Sequence, residues 1–144
     1  MVLGLIGTYE PKLDEKGRFI LPAKLREKLG GEVILTRGQE RCIYVFTATA
    51  FENMHERLAA KSDQSKSARL YARLMYSAAD DQQPDKQGRI SVAAPLREYA
   101  GLERDLTVIG AGNRVEIWDR KAWNDFLADS EDVFSNVNVD EELS

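Results

Sequence analysis

The fold is decided by a stretch that occurs twice, Asp14-Glu-Lys-Gly-Arg-Phe-Ile-Leu-Pro-Ala-Lys-Leu-Arg-Glu27 and Asp85-Lys-Gln-Gly-Arg-Ile-Ser-Val-Ala-Ala-Pro-Leu-Arg-Glu98. The copies lie 71 residues apart and are identical at seven of fourteen positions. The likeness continues further along the chain, where residues 41–46 face residues 113–118 at an offset of 72. Such self-similarity at a fixed period is the mark of an internal repeat. The 144-residue chain is therefore two copies of one unit.

Turn and helix signals give the order of elements within each copy. Residues 4–10 alternate apolar and polar side chains as a strand does, and residues 14–17 carry the Asp and Gly of a tight turn. Residues 18–21 are the returning strand, so we expect the two strands to form a hairpin. Pro22 suits the first position of a helix that stops at Gly30-Gly31.

The remaining segments follow the same logic in both copies. We expect strands at 33–36 and 42–46, a capping box at Thr49–Glu52, and a helix whose apolar stripe of Phe51, Met54 and Leu58 packs on the core. Later elements are predicted as a helix over 68–78, a turn at 85–88, strands at 89–92, 106–109 and 115–118, a short helix ending at Gly101, and a helix from its N-cap Asp119 to about Ala128. The predicted organisation is a first repeat (1–61), a linker and helix (62–79), a second repeat (80–128) and an acidic, disordered tail (129–144).

The scarcity of cysteine and histidine excludes several kinds of chemistry. Cys42 is the single cysteine and His55 the single histidine, so an intramolecular disulfide and a Cys/His zinc site lack ligands. Cys42 lies in an apolar run and is expected to be a small core residue, and His55 is expected to be solvated. We expect no catalysis, no metal and no cofactor. The rival hypothesis, a small hydrolase that uses Asp/Glu pairs with His55, predicts loss of turnover on replacing His55.

Charge is distributed unevenly along the chain. The formal net charge is −4, but residues 125–144 contain seven acidic and no basic residues, so the rest sums to +3. Six basic residues gather around the first turn: Lys12, Lys16, Arg18, Lys24, Arg26 and Lys28. No apolar run approaches the ~20 residues of a membrane span. A cytoplasmic protein without a membrane or small-molecule partner is expected.

The first turn allows two interpretations. A two-stranded ribbon fits the major groove of DNA, where an arginine binds guanine through two hydrogen bonds and neighbouring lysines bind phosphates. Alternatively, Asp14 and Arg18 close the turn with an ion pair while Gly17 supplies a positive φ. The duplicate, Asp85 to Arg89 with Gly88, fits both interpretations.

The stretch from Leu13 to Glu27 resembles the core of AbrB-like DNA-binding domains. A tandem pair of such cores, followed by Glu116-Ile-Trp-Asp119, resembles the MraZ family of bacterial transcriptional regulators over about residues 4 to 127. The resemblance implies an α+β, mainly β fold, in which two tandem repeats form a pseudo-twofold swapped-hairpin barrel with peripheral helices. It also implies homo-oligomeric rings on promoter DNA in the nucleoid. Such rings bind short G-containing direct repeats upstream of the division and cell-wall gene cluster, and repress it and their own gene.

Position by position, the resemblance makes Arg18 the DNA-binding arginine of the first motif and Arg89 its equivalent in the second. Lys12, Lys16 and Arg26 are expected to contact phosphates. The second copy departs from the first at Pro84 and Ala93, and Asp80 and Asp81 precede its turn and would repel phosphate. We therefore expect the first turn to be the main reader. The alternative is an antitoxin-like module that binds a basic protein through the acidic tail.

Overall fold

A computed structural model describes residues 4–144, which form eight strands and six helices. The strands are β1 (Thr8–Tyr9), β2 (Arg18–Ile20), β3 (Val33–Arg37), β4 (Ile43–Thr47), β5 (Asp80–Gln82), β6 (Arg89–Ser91), β7 (Leu106–Gly110) and β8 (Val115–Asp119). The helices are α1 (Ala23–Leu29), α2 (Ala48–Ser62), α3 (Lys66–Ala78), α4 (Ala94–Ala100), α5 (Arg120–Asn136) and α6 (Val139–Leu143).

Six strands form one antiparallel sheet in the order β1-β7-β8-β4-β3-β5, and β2 and β6 form a separate two-stranded ribbon. Four of the pairings join the two repeats: β1 with β7, β2 with β6, β3 with β5 and β4 with β8. The repeats are thus interleaved and share one framework.

The predicted hairpin between residues 4–10 and 18–21 is wrong. After the turn, β2 pairs with β6, and the chain before the turn pairs with the second repeat, where the Leu13 amide donates to the carbonyl of Arg104 at 2.8 Å. Alternation of apolar and polar residues tells which face of a strand is buried, but not which strand lies beside it. In this duplicated chain the strand beside β2 is β6, its own equivalent in the other copy.

The α+β class is confirmed, but the emphasis on β structure is wrong because helices contain more residues than strands. The large sheet ends in two open edges, β1 and β5, and no closed barrel is found among residues 4–144. The excess of helix comes from α2, α3 and α5, which are 15, 13 and 17 residues long.

Side chains cover both faces of the large sheet. On β4, Ile43 and Val45 point into the main core with the apolar residues of α1 and α4, whereas Tyr44 and Phe46 point into a second cluster on the opposite face. The second cluster also holds Cys42, which is fully buried as expected. The predicted stripe of Phe51, Met54 and Leu58 packs against this cluster and is confirmed.

The helix starts agree with the sequence at one site and differ at another. The Asp119 carboxylate accepts from the amide of Ala122 at 3.3 Å, as expected for the N-cap of α5. In α2, the N-cap is Thr47, whose hydroxyl accepts from the amide of Ala50 at 3.0 Å, and the predicted capping box at Thr49–Glu52 is wrong. Either Thr47 or Thr49 could cap the helix. Thr47 is the N-cap because β4 ends at this residue and α2 begins directly after it.

The acidic tail also differs from the expectation of disorder. Helix α5 continues through residues 129–136, and α6 follows after the Asn138 N-cap. The apolar side chains of this region are exposed, Phe134 and Leu143 at about 80%. Of the helices that the structure describes, none is both long and apolar enough to cross a bilayer.

Candidate nucleic-acid interface

The first turn is built around the carboxylate of Asp14. Its Oδ1 accepts from the backbone amides of Lys16 (2.8 Å) and Arg18 (3.0 Å), and its Oδ2 accepts from Nε of Arg18 at 3.0 Å. The Gly17 amide donates to the Asp14 carbonyl at 3.1 Å, and Gly17 has a φ of 75°, which an L-residue rarely adopts. One aspartate therefore fixes both the turn and the arginine that follows it.

The second turn repeats this geometry. Asp85 Oδ1 accepts from the amides of Gln87 and Arg89, each at 2.9 Å, and Oδ2 accepts from Nε of Arg89 at 2.7 Å. Gly88 has a φ of 80° and donates to the Asp85 carbonyl at 2.9 Å. The departures at Pro84 and Ala93 leave the turn itself unchanged.

Hydrogen bonds lower the pKa values of both aspartates. The backbone amide of Arg18 is the largest cause at Asp14, and the backbone amide of Arg89 at Asp85, with the guanidinium groups adding to the effect. Both carboxyls hold their charge at neutral pH, so both ion pairs are present there.

The ribbon of β2 and β6 brings the two arginines onto one surface. In its register, Arg18 lies opposite Ser91 and Ile20 lies opposite Arg89. Between them, Phe19 and Ile90 are paired and buried in the core, at 2% and 1% exposure. Because side chains alternate along a strand, the remaining four residues share the outer surface. We call this surface the ribbon face: Arg18, Ile20, Arg89 and Ser91.

Both arginine side chains on the ribbon face are accessible. The exposed fraction is 27% for Arg18 and 31% for Arg89, and the Ile20 side chain between them is 56% exposed. The two turns approach this face from opposite ends because β2 and β6 are antiparallel. The geometry combines a structural ion pair with an accessible guanidinium, so the two interpretations of the turn are compatible.

The lysines of the basic cluster are exposed to solvent. Lys12 and Lys16 are exposed, Lys12 at a bridge to Asp105 of the second repeat and Lys16 within the turn. Lys24 is also exposed, and Lys28 donates from Nζ to the Gly4 carbonyl at 3.2 Å. Of the acids expected to disfavour the second site, Asp81 is exposed and Asp80 half-buried on β5, which is the sheet edge.

Arg26 occupies a different environment from the lysines. It is half-buried, and Nη1 donates to the Leu21 carbonyl at 2.7 Å. The same guanidinium lies against Gly88, where an added Cβ would be 2.7 Å from Cζ of Arg26. The structure thus places the guanidinium of Arg26 against the glycine of the second turn.

Sequence reasoning missed Arg97, the equivalent of Arg26 in the second copy. Its guanidinium lies against Gly17, with Cζ 2.9 Å from the position of an added Cβ. The offset of 71 between the copies already pairs Arg26 with Arg97 and Gly17 with Gly88. Contact across the copies cannot be read from that offset, because it depends on the strand exchange.

Other candidate chemistry is weak in the described part of the chain. No group of three or more His, Cys, Asp or Glu side chains is placed to hold a metal among residues 4–144. His55 is exposed and lies 2.9 Å from the hydroxyl of Tyr76. Burial raises the pKa of the Cys42 thiol, which keeps it protonated and unreactive.

Comparison with known proteins agrees with the repeats. A family model described as "MraZ protein, putative antitoxin-like" matches twice, over residues 5–74 and 75–142. A protein of Micrococcus luteus named Transcriptional regulator MraZ is 58% identical over 135 residues, 94% of each chain. Proteins of the same name from Salinispora tropica and Paenarthrobacter aurescens are 53% and 55% identical, over 92% and 94% of this chain and 93% and 94% of their own length. With both repeats matched by the family model and such relatives along nearly its whole length, the chain belongs to the MraZ family.

Proposed function

We propose that the protein is a transcriptional regulator that binds double-stranded DNA through the ribbon face. The relatives at 53–58% identity are named as transcriptional regulators, and the MraZ family is a family of regulators rather than of enzymes. The observation that carries the DNA-binding site is the placement of Arg18 and Arg89 on one exposed, two-stranded surface, each fixed by an aspartate of its own turn. A ribbon of two strands fits the B-DNA major groove, which is about 12 Å wide.

The hydrogen bonds of Arg18 suit base recognition. In the part of the chain that the structure describes, the side chain of Arg18 donates from Nε alone, to Asp14. Its two terminal amino groups therefore remain for a ligand. Guanine presents O6 and N7 as neighbouring acceptors, and a bidentate arginine contact discriminates guanine from other bases by about 1–3 kcal/mol. This chemistry supports the G-containing operator implied by the family resemblance.

Phosphate contacts come from the exposed lysines beside the first turn. Lys12 and Lys16 flank Asp14, and their ammonium groups attract the DNA backbone without regard to sequence. Arg26, which we expect to bind phosphate, is half-buried, and its guanidinium donates a hydrogen bond to the Leu21 carbonyl. We assign phosphate binding to the two lysines and give the first turn, with Arg18, the leading part in recognition.

We further propose that the chain acts as a homo-oligomeric ring on promoter DNA. One ribbon offers few contacts, and several ribbons on one DNA segment raise affinity when operator spacing matches module spacing. Exposed apolar side chains of α3, such as Leu70 (57%) and Leu74 (48%), provide surface for association between copies. The targets are direct repeats upstream of the division and cell-wall genes, including the gene of the protein itself, and binding there represses transcription. The crossed pairing of β2 with β6 supports the swapped-hairpin arrangement that the resemblance to AbrB-like domains implies.

The test is a gel shift with DNA from upstream of the gene that encodes the protein, at fixed salt. Arg18→Ala is compared with Arg57→Ala, which removes the same charge from the exposed surface of α2. We expect Arg18→Ala to lose the specific shift at protein concentrations that shift the operator with wild type, and to bind only weakly at higher concentrations, while oligomer size and circular dichroism stay unchanged. Arg57→Ala should bind as wild type does. Equal binding by Arg18→Ala and wild type would refute the site.

The description of the matching family model favours one alternative, an antitoxin-like module that binds a protein. The acidic α6, with exposed Val139 and Leu143, offers charge and apolar surface for a basic partner. A stoichiometric basic protein that co-purifies with the chain, and is lost when residues 137–144 are deleted, would establish this alternative.

A further inference from the structure

Each glycine of the two turns is covered by an arginine of the other repeat. Gly17 is buried, and a Cβ built on it would overlap Nη1 of Arg97, which belongs to α4 of the second repeat. Gly88 is buried in the same way, and its Cβ would overlap Nη1 of Arg26 in α1 of the first repeat. Each guanidinium thus occupies the space that a side chain would take at the glycine.

The backbone of each turn is also held by the other repeat. The Val92 amide donates to the Gly17 carbonyl at 2.8 Å, and the Leu21 amide donates to the Gly88 carbonyl at 2.9 Å. Both bonds cross from one repeat to the other, as the arginine contacts do. The glycine of each turn is therefore enclosed between a strand end and a helix that belong to the opposite copy.

This enclosure acts one residue away from the DNA-reading side chain. Arg18 follows Gly17 and Arg89 follows Gly88, so any rotation of the glycine peptide reorients the arginine that comes next. The bonds from Asp14 and Asp85 fix each turn internally, but they do not tie it to the rest of the molecule. The crossed arginine and the crossed backbone bond add, at the glycine itself, to the connection that the β2–β6 ladder makes on one side of the turn.

We propose that Arg97 and Arg26 are positioning residues that orient Arg18 and Arg89, respectively, so that each repeat sets the DNA-reading turn of the other. The link to DNA rests on the function proposed above, whereas the crossed support of the turns is a property of the free protein. Arg26 thereby has a role other than phosphate binding.

The two arginines differ in how firmly their guanidinium groups are held. Arg26 also donates from Nη1 to the Leu21 carbonyl at 2.7 Å, which anchors its guanidinium. Arg97 has no such bond in the described chain, and it borders an open cavity of about 600 Å³ with Asp14 and Glu103. Replacing Arg97 therefore perturbs the turn with less effect on the surrounding fold than replacing Arg26.

The first measurement is amide hydrogen exchange of the full-length, DNA-free protein, read by mass spectrometry over residues 12–19 and 83–90. The variants are Arg97→Lys and Arg26→Lys, which keep the charge and the aliphatic stem but lose the planar group. We expect Arg97→Lys to speed exchange about tenfold in 12–19 alone, and Arg26→Lys to do so in 83–90 alone. Faster exchange in the variant's own repeat, in both segments equally, or in neither would overturn the proposal.

The second measurement is a double-mutant cycle on operator affinity. Because Arg97 acts through Arg18, we expect Arg97→Lys to weaken operator binding about tenfold in the wild-type background and not at all in the Arg18→Ala background. The matched control is Arg97→Lys with Arg89→Ala, where the two effects should add. Operator affinity insensitive to Arg18→Ala, alongside the crossed exchange pattern, would refute the DNA site but keep the positioning role. If Arg18→Ala weakens operator binding and Arg97→Lys weakens it further by the same factor as in wild type, the positioning role is overturned. It is also overturned if Arg97→Lys lowers the salt dependence of operator affinity by the amount of one phosphate contact.

Discussion

Asp14 and Arg18 are joined by three hydrogen bonds: from the Asp14 amide to the Arg18 carbonyl (2.7 Å), from the Arg18 amide to Oδ1 (3.0 Å), and from Arg18 Nε to Oδ2 (3.0 Å). Asp85 and Arg89 repeat all three. The aspartate carboxylate therefore stabilises the turn and fixes the arginine side chain. Removing this carboxylate changes DNA binding through the orientation of Arg18 as well as through charge.

Replacing Asp14 with alanine should weaken operator binding about tenfold, a loss of ~1.4 kcal/mol. Removal of a negative charge beside DNA would by itself strengthen binding, but loss of the acceptor releases Arg18 from its fixed orientation. Glu15→Ala is the matched control, since it removes the same charge from an exposed neighbour. We expect fluorescence anisotropy to give equal or tighter binding for Glu15→Ala. Tighter binding by both variants would mean that Asp14 acts only as a charge.

The lowered pKa values of Asp14 and Asp85 predict that the two turns keep their carboxylate hydrogen bonds until the pH falls below the ordinary aspartate pKa. A folded-state pKa below the unfolded value contributes stability above the unfolded pKa, and that contribution is lost as the pH falls through the folded pKa. Both carboxyls should therefore titrate below the ordinary value of 3.8 and stay ionised from pH 5 to 8. Carboxyl ¹³C shifts followed against pH check this. A midpoint at or above 3.8 would contradict the hydrogen-bonded turn.

The interleaved strands predict that the two repeats unfold together. Leu25 in α1 is 1% exposed, and Leu25→Ala should cost about 2–5 kcal/mol. Both tryptophans, Trp118 and Trp123, lie in the second repeat, so their fluorescence reports that copy. In urea, fluorescence and far-UV circular dichroism should shift together to lower midpoints, whereas the exposed control Lys24→Ala should change little. An unchanged fluorescence midpoint for Leu25→Ala would indicate independent repeats.

Cys42 should resist alkylation in the folded protein. It is fully buried, its Sγ lies 3.2 Å from the Gln39 carbonyl, and burial raises its pKa so that little thiolate forms. Iodoacetamide labelling followed by mass spectrometry should be slow in buffer and rapid in urea. Rapid labelling without urea would show that the second cluster opens easily.

The local chemistry of the site was predictable from the sequence, whereas its partners were not. The Asp, Gly and Arg of each turn, the end of α1 near Gly30 and the cap at Asp119 depend on residues within a few positions, and the structure has them as expected. The partner of β2 depends on strands about 70 residues away. The strand expected beside β2 is the one before the turn, whereas the strand found there is β6, the equivalent of β2 in the other copy, and alternation along the strands does not choose between them.

The same limit explains the arginines. The expectation that Arg26 contacts phosphate depends on its charge and its closeness in sequence to Lys24 and Lys28, whereas its position against Gly88 depends on the pairing of β2 with β6. No feature of residues 94–101 marks Arg97 as part of the site, since its contact with Gly17 joins residues 80 positions apart. The acidic tail gave a compositional signal for disorder, yet the stretch from Asp129 to Asn136 extends α5 without a proline or glycine to end it.

The most direct test of the account is a chemical deletion on the DNA. Operator guanines are replaced one at a time by 7-deazaguanine, which lacks the N7 acceptor, and affinity is measured for wild type and for Arg18→Ala at the same salt. We predict that each direct repeat of the operator DNA contains one guanine at which the substitution weakens wild-type binding about tenfold. At this guanine the substitution should leave the already weak binding of Arg18→Ala unchanged. Equal losses for both proteins at every guanine would contradict the contact between Arg18 and a base, and with it the central claim.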